Sequence, residues 1–320
     1  MIAGSMILPR IPGRRWLLFR MELSKIATEK RNENTLHIDE LSTRDMVKLI
    51  NDEDKKVAEA VEKELDHIAA AIDLIADKLS KGGRLIYTGC GTSGRLGILD
   101  AVECPPTYST DPETVMGIIA GGYPAIFKAV EGAEDDASLG EEDLKKVSFS
   151  EKDVLVGLAA SGRTPYVIGA MKYAKSLGAS VLSVTCCKGS EIDQLADIGI
   201  APMPGSEVIT GSTRMKSGTA EKMVLNMLST GSMIKLGKVY GNLMVDVKPS
   251  NLKLIDRCVS IVQNATGVSR DEAKEVLDQC DYRPKTAIVM IENHVDEQAA
   301  IAALQQAGGH VSAAIATARA

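Results

Sequence analysis

The spacing of apolar residues changes near residue 81, from a helical period to short apolar runs. Residues 21–80 are predicted to be helical, and residues 57–79 carry apolar side chains at three- and four-residue intervals. A cap at Ser42 or Thr43 is expected to begin one of them. The following apolar runs predict strands at 84–88, 115–120, 153–159, 180–185 and 198–201. Because helical stretches separate these runs, the pattern predicts an α/β fold with a parallel five-stranded sheet covered on both faces.

After the predicted sheet the chain is helical again. A long helix is predicted over about 213–235. Shorter helices are predicted over 259–265, 270–280, 285–291 and 296–307. They resemble a small ubiquitin-associated-like module, for which we expect a role as an interface or a lid, because a shared fold does not carry function.

These patterns divide the chain into four segments. Residues 1–20 are basic, and their longest apolar run is too short for a signal peptide, so we interpret them as a leader or tag-like segment before a start at Met21. The remaining segments are N-terminal helices (21–75), a sheet-containing domain (76–240) and a C-terminal helical region (241–320).

Composition narrows the class of function. The formal net charge is −6 and the sequence pI is near 5.4, which argues against a nucleic-acid partner, since phosphate-backbone binding needs a basic face. No apolar run is long enough for a membrane-spanning helix. The six cysteines form no CxxC pair and the four histidines are scattered, so we expect reduced cysteines, a cytoplasmic protein and no metal site.

A glycine-rich loop follows the first predicted strand. Its sequence GCGTSG (89–94) matches GxGxxG, which also occurs in dinucleotide-binding folds. That class requires an acidic residue at the end of the next strand to hold a ribose, whereas this strand ends in Ala120, Gly121 and Gly122. The dinucleotide interpretation is therefore disfavoured, and we expect no cofactor.

A second loop, ASGRTP (160–165), also follows a strand and opens a helix. Both loops contain Ser-Gly-Arg, and each places hydroxyl and backbone N–H groups at the positive end of a helix, which favours a bound phosphate. Two such loops at neighbouring strand ends could hold one sugar phosphate. Tight turns with serine caps are the alternative for either loop alone.

Four longer motifs carry a resemblance to a known family. They are TGCGTSGRLGILDAVECPPTY (88–108), AVEGAED (129–135), AASGRTPY (159–166) and EVITGSTRMKSGTA (207–220). The chain resembles the muramic acid 6-phosphate etherases, whose sheet domain is the sugar isomerase (SIS) fold, from about residue 21 to its end. Cys90 and Val102 depart from the residues common in this family. The glucokinase regulatory protein is similar in many of the same motifs but lacks the activity.

The resemblance implies a lyase without a cofactor that releases D-lactate from a phosphorylated amino sugar. Its two catalytic glutamates correspond to Glu103 and Glu134. Pro105 and Pro106 disfavour helix before them, so we expect the helix to end near Glu103, where the negative helix end favours a protonated acid. We therefore expect Glu103 to be the acid and Glu134 the base, although this order stays open.

An acidic surface turn is the alternative for Glu134, and Glu131 is a rival on the same expected helical face. The predicted substrate-binding residues lie in three motifs: Gly91, Thr92, Ser93, Arg95, Ser161, Gly162, Arg163, Thr164, Ser212 and Lys216. For the third motif, helix capping with a solvated Arg214 and Lys216 is the alternative to substrate contact.

The position of Glu103 raises the question of assembly. Ser93 and Glu103 are ten residues apart, about 15 Å if the segment is helical throughout, roughly twice the separation between a hexose's phosphate and its carbons 2 and 3. We therefore expect a homodimer in which Glu103 reaches the neighbour's site. A sugar-phosphate isomerase and a non-catalytic sugar-phosphate regulator are the competing functions.

Overall fold

The computed structural model describes residues 27–130, 132–247, 249 and 251–317, so the predicted leader and start lie outside the described residues. The N-terminal part has 3-10 turns at Ala27–Glu29, Glu33–Thr35 and Ile38–Glu40, followed by α1 (Thr43–Asp54), α2 (Lys56–Glu62) and α3 (Leu65–Ser80). The predicted cap is confirmed at Ser42, whose side chain accepts a hydrogen bond from the Asp45 amide.

The predicted parallel sheet is confirmed. In the described part of the chain it has five strands: β1 (Leu85–Gly89), β2 (Val115–Ile119), β3 (Val154–Leu158), β4 (Ser180–Val184) and β5 (Ile198–Ile200). Their order is β2-β1-β3-β4-β5, and every pair is parallel. The order reverses between β1 and β3, and ligands of such sheets bind at this crevice beyond the carboxyl ends of the strands.

Helices cover both faces of the sheet. They are α4 (Gly91–Tyr108), α5 (Tyr123–Phe127), α6 (Ala137–Lys146), α7 (Pro165–Ser176), α8 (Glu191–Leu195) and α9 (Lys216–Lys235). Successive residues of a strand face opposite sides, so Leu85 and Tyr87 pack in one core with α3, α4 and α9, and Ile86 packs in the other with α7. The sheet is thus buried on both faces.

One helix boundary differs from the prediction. α4 does not end near Glu103 but continues through Pro105 and Pro106 to Tyr108. The prolines leave two carbonyl groups of the helix without their usual N–H donors, yet α4 packs against β2 and α9, and this tertiary packing outweighs the local preference. Ser109 then ends the helix in a left-handed conformation, and its amide donates to the Pro105 carbonyl.

The C-terminal region has a core of its own. A hairpin of β6 (Val239–Tyr240) and β7 (Leu243–Met244) precedes α10 (Leu252–Thr266), α11 (Arg270–Gln279), α12 (Pro284–Asn293), α13 (Glu297–Gln306) and α14 (Val311–Thr317). Cys258, Leu277 and Ile288 are fully buried in this C-terminal core, which is separate from the two cores on the faces of the sheet. Among the described residues, we find no helix with the length and apolarity that a membrane crossing requires.

Candidate active site

The two glycine- and serine-rich loops lie side by side at the crevice. Gly89 at the end of β1 is paired in register with Leu158 at the end of β3. The first loop leads directly into α4, and the second leads into α7, where Pro165 occupies the first turn as expected. Two helices therefore begin beyond neighbouring strand ends, and their positive N-terminal ends favour an anion there.

The first loop is anchored from inside the protein. The Ser93 hydroxyl is hydrogen-bonded to the carboxyl group of Glu221 on α9, with 2.9 Å to each carboxyl oxygen. Thr92 is half-buried and packs next to Gly218, also on α9. Gly91 is exposed at the start of α4. Ser93 is thus turned toward the core, and the exposed part of this loop is its backbone.

Arg95 links the first loop to α5. Its guanidinium donates to the carbonyl oxygens of Ala125 and Ile126, each at 2.8 Å. These bonds fix the segment that follows β2 against α4. The half-buried Arg95 thereby contributes a positive charge to the wall of the neighbouring cavity.

Glu134 lines this cavity, which has a volume of about 210 Å³. The lining residues come from the ends of β1 and β2, from α4 and α5, and from the segment between α5 and α6: Cys90, Gly91, Arg95, Ala120, Ala125, Ala129, Val130, Gly132, Ala133 and Glu134. Glu134 lies in a turn rather than on a helical face, and its carbonyl accepts a hydrogen bond of 3.1 Å from the Tyr166 amide of α7. Glu131 lies outside the described residues.

Burial raises the pKa of Cys90 in this cavity to about 12, with a further contribution from the negative charges of Glu134 and Asp135. The thiol therefore stays protonated at neutral pH. The protonated thiol is a poor nucleophile, and it forms an uncharged part of the cavity wall next to Glu134.

The second loop presents side chains that are available to a ligand. Ser161 and Thr164 are half-buried and Arg163 is exposed. Thr164 precedes α7 at the capping position, but its side chain does not cap the helix. At the first loop, Cys90 precedes α4, and its side chain does not cap that helix either. Neither α4 nor α7 is capped by a serine side chain, so the alternative of tight turns with serine caps does not describe these two loops.

Gly162 is the tightest position of the second loop. Its φ is +68°, and a Cβ atom there would lie 2.0 Å from the hydroxyl oxygen of Ser190. The Ser190 hydroxyl is buried and has no hydrogen-bond partner among the described residues. Glycine is required here both by the left-handed backbone and by the close approach of the loop that follows β4.

We expect Gly162→Ala to lower the free energy of unfolding by about 3 kcal/mol, since it combines left-handed strain with overpacking. Gly189→Ala is the matched control, because Gly189 has a φ of +74° but open space around its Cα. Its expected loss is about 1 kcal/mol. Urea denaturation of both variants measures the difference, and equal losses would show that the contact with Ser190 is unimportant.

Glu103 lies apart from this cavity. It is exposed on the last turns of α4 and is not among the residues that line the cavity of Glu134. Since α4 is helical from Gly91 to Tyr108, the expected separation of about 15 Å along the helix between Ser93 and Glu103 holds. The prediction that α4 ends near Glu103 was wrong, because the helix continues to Tyr108. The negative end of the helix is therefore no reason to assign Glu103 as the acid.

The third motif is held by a buried ion pair. Lys216 is 1% exposed, and its ammonium group lies 2.8 Å from a carboxyl oxygen of Glu53 on α1. Its amide donates to Glu207 at 2.9 Å. Lys216 is thus neither solvated nor presented to the cavity of Glu134, and in this conformation it fixes the segment that contains the half-buried Ser212.

Glu53 is the acceptor that organises this ion pair. Burial alone would raise its pKa, but hydrogen bonds from Lys216, Lys56, Asn34 and Asn32 outweigh burial and lower the pKa to about 2 from 4.5. A lowered folded-state pKa stabilises the fold above pH 4.5, and this stabilisation is lost as the pH falls toward 2.

We expect Glu53→Gln to lower the free energy of unfolding by about 3 kcal/mol at pH 7, and the difference from wild type to shrink below pH 4.5. Asp52→Asn is the control, because Asp52 forms exposed ion pairs with Lys48 and Lys55 that contribute little. Denaturant titrations at several pH values test this. A pH-independent difference would contradict the ionic role of Glu53.

Sequence reasoning missed three residues of this region, namely Glu53, Ser190 and Glu221. Glu221 lies in the helix predicted over about 213–235, and Glu53 lies in the helical segment predicted over 21–80, but no role was predicted for either residue. The available signal was a charged residue at a position where the helical period predicts burial. That signal does not identify the partner, which comes from a distant part of the chain.

Comparison with known proteins shows which protein families this chain is similar to. Residues 67–175 match the glucokinase regulatory protein N-terminal SIS domain, 137–231 match the SIS domain, and 241–319 match the C-terminal lid domain of glucokinase regulatory protein. A phosphoheptose isomerase structure from Neisseria gonorrhoeae is similar with a TM-score of 0.47 and 18% identity, covering 60% of this chain and 98% of that one.

Two sequence relatives cover nearly the whole chain. The N-acetylmuramic acid 6-phosphate etherase of Photobacterium profundum is 58% identical over 297 residues, which is 93% of this chain and 99% of that protein. The N-acetylmuramic acid 6-phosphate etherase of Clostridium beijerinckii is 57% identical over 295 residues, 92% of this chain and 97% of that protein. The resemblance predicted from the motifs is confirmed. This chain belongs to the N-acetylmuramic acid 6-phosphate etherase family.

Proposed function

We propose that this chain is a carbon–oxygen lyase that converts N-acetylmuramic acid 6-phosphate and water into N-acetylglucosamine 6-phosphate and D-lactate. The observation that carries the proposal is the position of Glu134, in the wall of a cavity that also contains Arg95 and the first turn of α4. A phosphate held at the two helix N-termini would place the sugar next to this carboxylate. The names of the relatives support the same substrate.

The reaction begins with the open-chain form of the sugar. Its aldehyde makes the hydrogen on carbon 2 acidic, and we assign Glu134 as the base that removes this proton. The electron pair of the carbon–hydrogen bond forms a double bond between carbons 2 and 3, and the bond from carbon 3 to the lactyl oxygen breaks. Such a step needs a carboxylate positioned within hydrogen-bond reach of the proton.

The second carboxyl group serves the leaving oxygen. We assign Glu103 as the acid that protonates lactate as it departs, and then as the group that directs water to carbon 3. Addition of the water oxygen to carbon 3 and of a proton to carbon 2 gives the product sugar. We propose that the two glycine- and serine-rich loops hold the phosphate through their backbone N–H groups and through the side chains of Ser161, Arg163 and Thr164.

The two glutamates are best brought together by a homodimer. The cavity of about 210 Å³ is smaller than typical small-molecule pockets, which supports a site that a second copy completes. Leu99 and Val102, which flank Glu103 on α4, are 49% and 56% exposed, and Tyr123 and Phe127 beside the cavity are both 74% exposed. Exposed apolar groups next to both halves of the site support an interface between two copies there.

Lactate release in water labelled with heavy oxygen tests the chemistry. Incubation with N-acetylmuramic acid 6-phosphate should release unlabelled D-lactate and leave the label on carbon 3 of N-acetylglucosamine 6-phosphate. Label in the lactate would contradict elimination followed by addition of water. A sugar-phosphate isomerase or a non-catalytic regulator would release no lactate.

A further inference from the structure

Glu221 is a buried carboxyl group directly behind the first loop. It lies on α9, is 1% exposed, and makes its hydrogen bonds with the Ser93 hydroxyl, at 2.9 Å to both carboxyl oxygens. Ser93 belongs to the first turn of α4, whose positive end faces the proposed phosphate site. A change in the charge of Glu221 would therefore act on the part of the protein that is proposed to bind an anion.

No cation compensates this carboxyl group among the described residues. Cys186, which follows β4, faces Glu221, and burial raises the pKa of this thiol well above its ordinary value, so it stays neutral. Glu207 near it accepts from the Lys216 amide, and the Lys216 ammonium pairs with Glu53. Lys222, the next residue of α9, is exposed. Glu221 is thus an isolated acid in an apolar environment.

Burial determines which form Glu221 takes. It raises the pKa of Glu221 from 4.5 to about 8, although the bond from Ser93 acts in the opposite direction. The carboxyl group is therefore predominantly protonated at pH 7 and ionised at pH 9. The titrations of a sugar phosphate (about 6) and of lysine (about 10.4) lie outside this interval.

We propose that Glu221 is a positioning residue whose protonation sets the affinity of the first loop for the phosphate of the substrate. This inference rests on the proposed function and deepens it. A neutral Glu221 can donate to Ser93 and leaves the positive end of α4 available to the phosphate. An ionised Glu221 accepts from Ser93, compensates that helix end internally, and repels a phosphate dianion across a low-dielectric interior.

The expected effect follows from the population of the neutral form. If the neutral form alone binds well, the apparent Kd is the intrinsic Kd divided by the neutral fraction. Between pH 7 and pH 9 the Kd for N-acetylglucosamine 6-phosphate should rise about tenfold. Glu221→Gln places a neutral hydrogen-bonding group of the same shape behind Ser93, so its Kd should match wild type at pH 7 and stay constant to pH 9.

Calorimetric titration of the intact chain with N-acetylglucosamine 6-phosphate at pH 7, 8 and 9 tests the inference, with unphosphorylated N-acetylglucosamine as the control ligand. Ser93→Ala is a second variant. It removes the bond that lowers the pKa of Glu221, so the loss of affinity should move to higher pH. A wild-type Kd that is constant over this range, or an unchanged decline in either variant, overturns the inference.

The same titration separates this inference from the proposed function. A tenfold decline without any lactate release from N-acetylmuramic acid 6-phosphate would support the role of Glu221 and reject the etherase chemistry. Lactate release together with a constant Kd would support the chemistry and reject the role of Glu221. A folded chain that releases no lactate and does not bind N-acetylglucosamine 6-phosphate at any pH would overturn both.

Discussion

Replacing either Glu103 or Glu134 by Gln is expected to reduce the rate of lactate release by about 10²–10⁴-fold. Glutamine keeps the size of the side chain but can neither accept the proton from carbon 2 nor donate one to the leaving oxygen. Because both residues are exposed, neither substitution leaves a buried group unpaired, and stability should change by less than about 0.5 kcal/mol. The measurement is the initial rate of D-lactate formation at saturating N-acetylmuramic acid 6-phosphate.

Asp135→Asn is the matched control for Glu134→Gln. Asp135 is the next residue of the same turn, is also exposed, and is not among the residues that line the cavity. It should keep most of the activity while removing the same charge. Both glutamine variants should still bind N-acetylglucosamine 6-phosphate, since the phosphate is held by the loops. A Glu134→Gln chain with near wild-type turnover would show that another group is the base.

Mixing the two inactive variants, Glu103→Gln and Glu134→Gln, is expected to restore about one quarter of wild-type activity. If a site combines Glu134 of one chain with Glu103 of the other, each mixed dimer has one intact site and one site that lacks both carboxyl groups. Random assortment of equal amounts makes half of the dimers mixed. The activity should rise with the time allowed for subunit exchange, measured again as D-lactate.

The control for this experiment is a chain that carries both substitutions. Mixed with either single variant, it cannot form an intact site and should restore nothing. Light scattering establishes whether the wild-type chain is a dimer under the same conditions. If exchange is complete and the mixture of single variants stays inactive, Glu103 and Glu134 act within one chain, and the proposed shared site is wrong.

The sequence alone predicted the separation of Ser93 and Glu103 but not the residue at which α4 ends. The ten-residue spacing of Ser93 and Glu103 is visible in the sequence, and its conversion to a distance needed only a helix over 93–103, which lies before Pro105 and Pro106. Local preference predicted that the helix would end before these prolines. Packing of α4 against β2 and α9 keeps it helical to Tyr108. The predicted separation of Ser93 and Glu103 is unchanged by this, but a helix end no longer favours Glu103 as the acid.

Local sequence determined the strands and the loops that follow them. Each strand is a short apolar run that glycine, proline or polar residues soon follow, and this pattern depends on neighbours within a few residues. The predicted positions of all strands in the parallel sheet agree with β1 to β5 to within one residue at each end. The motifs around Glu103 and Glu134 likewise identified the family, because they are contiguous in the chain.

The tertiary structure decided what the polar side chains of these motifs contact. Ser93 bonds to Glu221, 128 residues away, and Lys216 pairs with Glu53, 163 residues away. Apolar periodicity predicts that a position is buried, but it does not indicate which distant group contacts the side chain at that position. The sequence therefore determined the sheet, its loops and the family, whereas only the packing of remote helices showed that two predicted substrate ligands are held from within the protein.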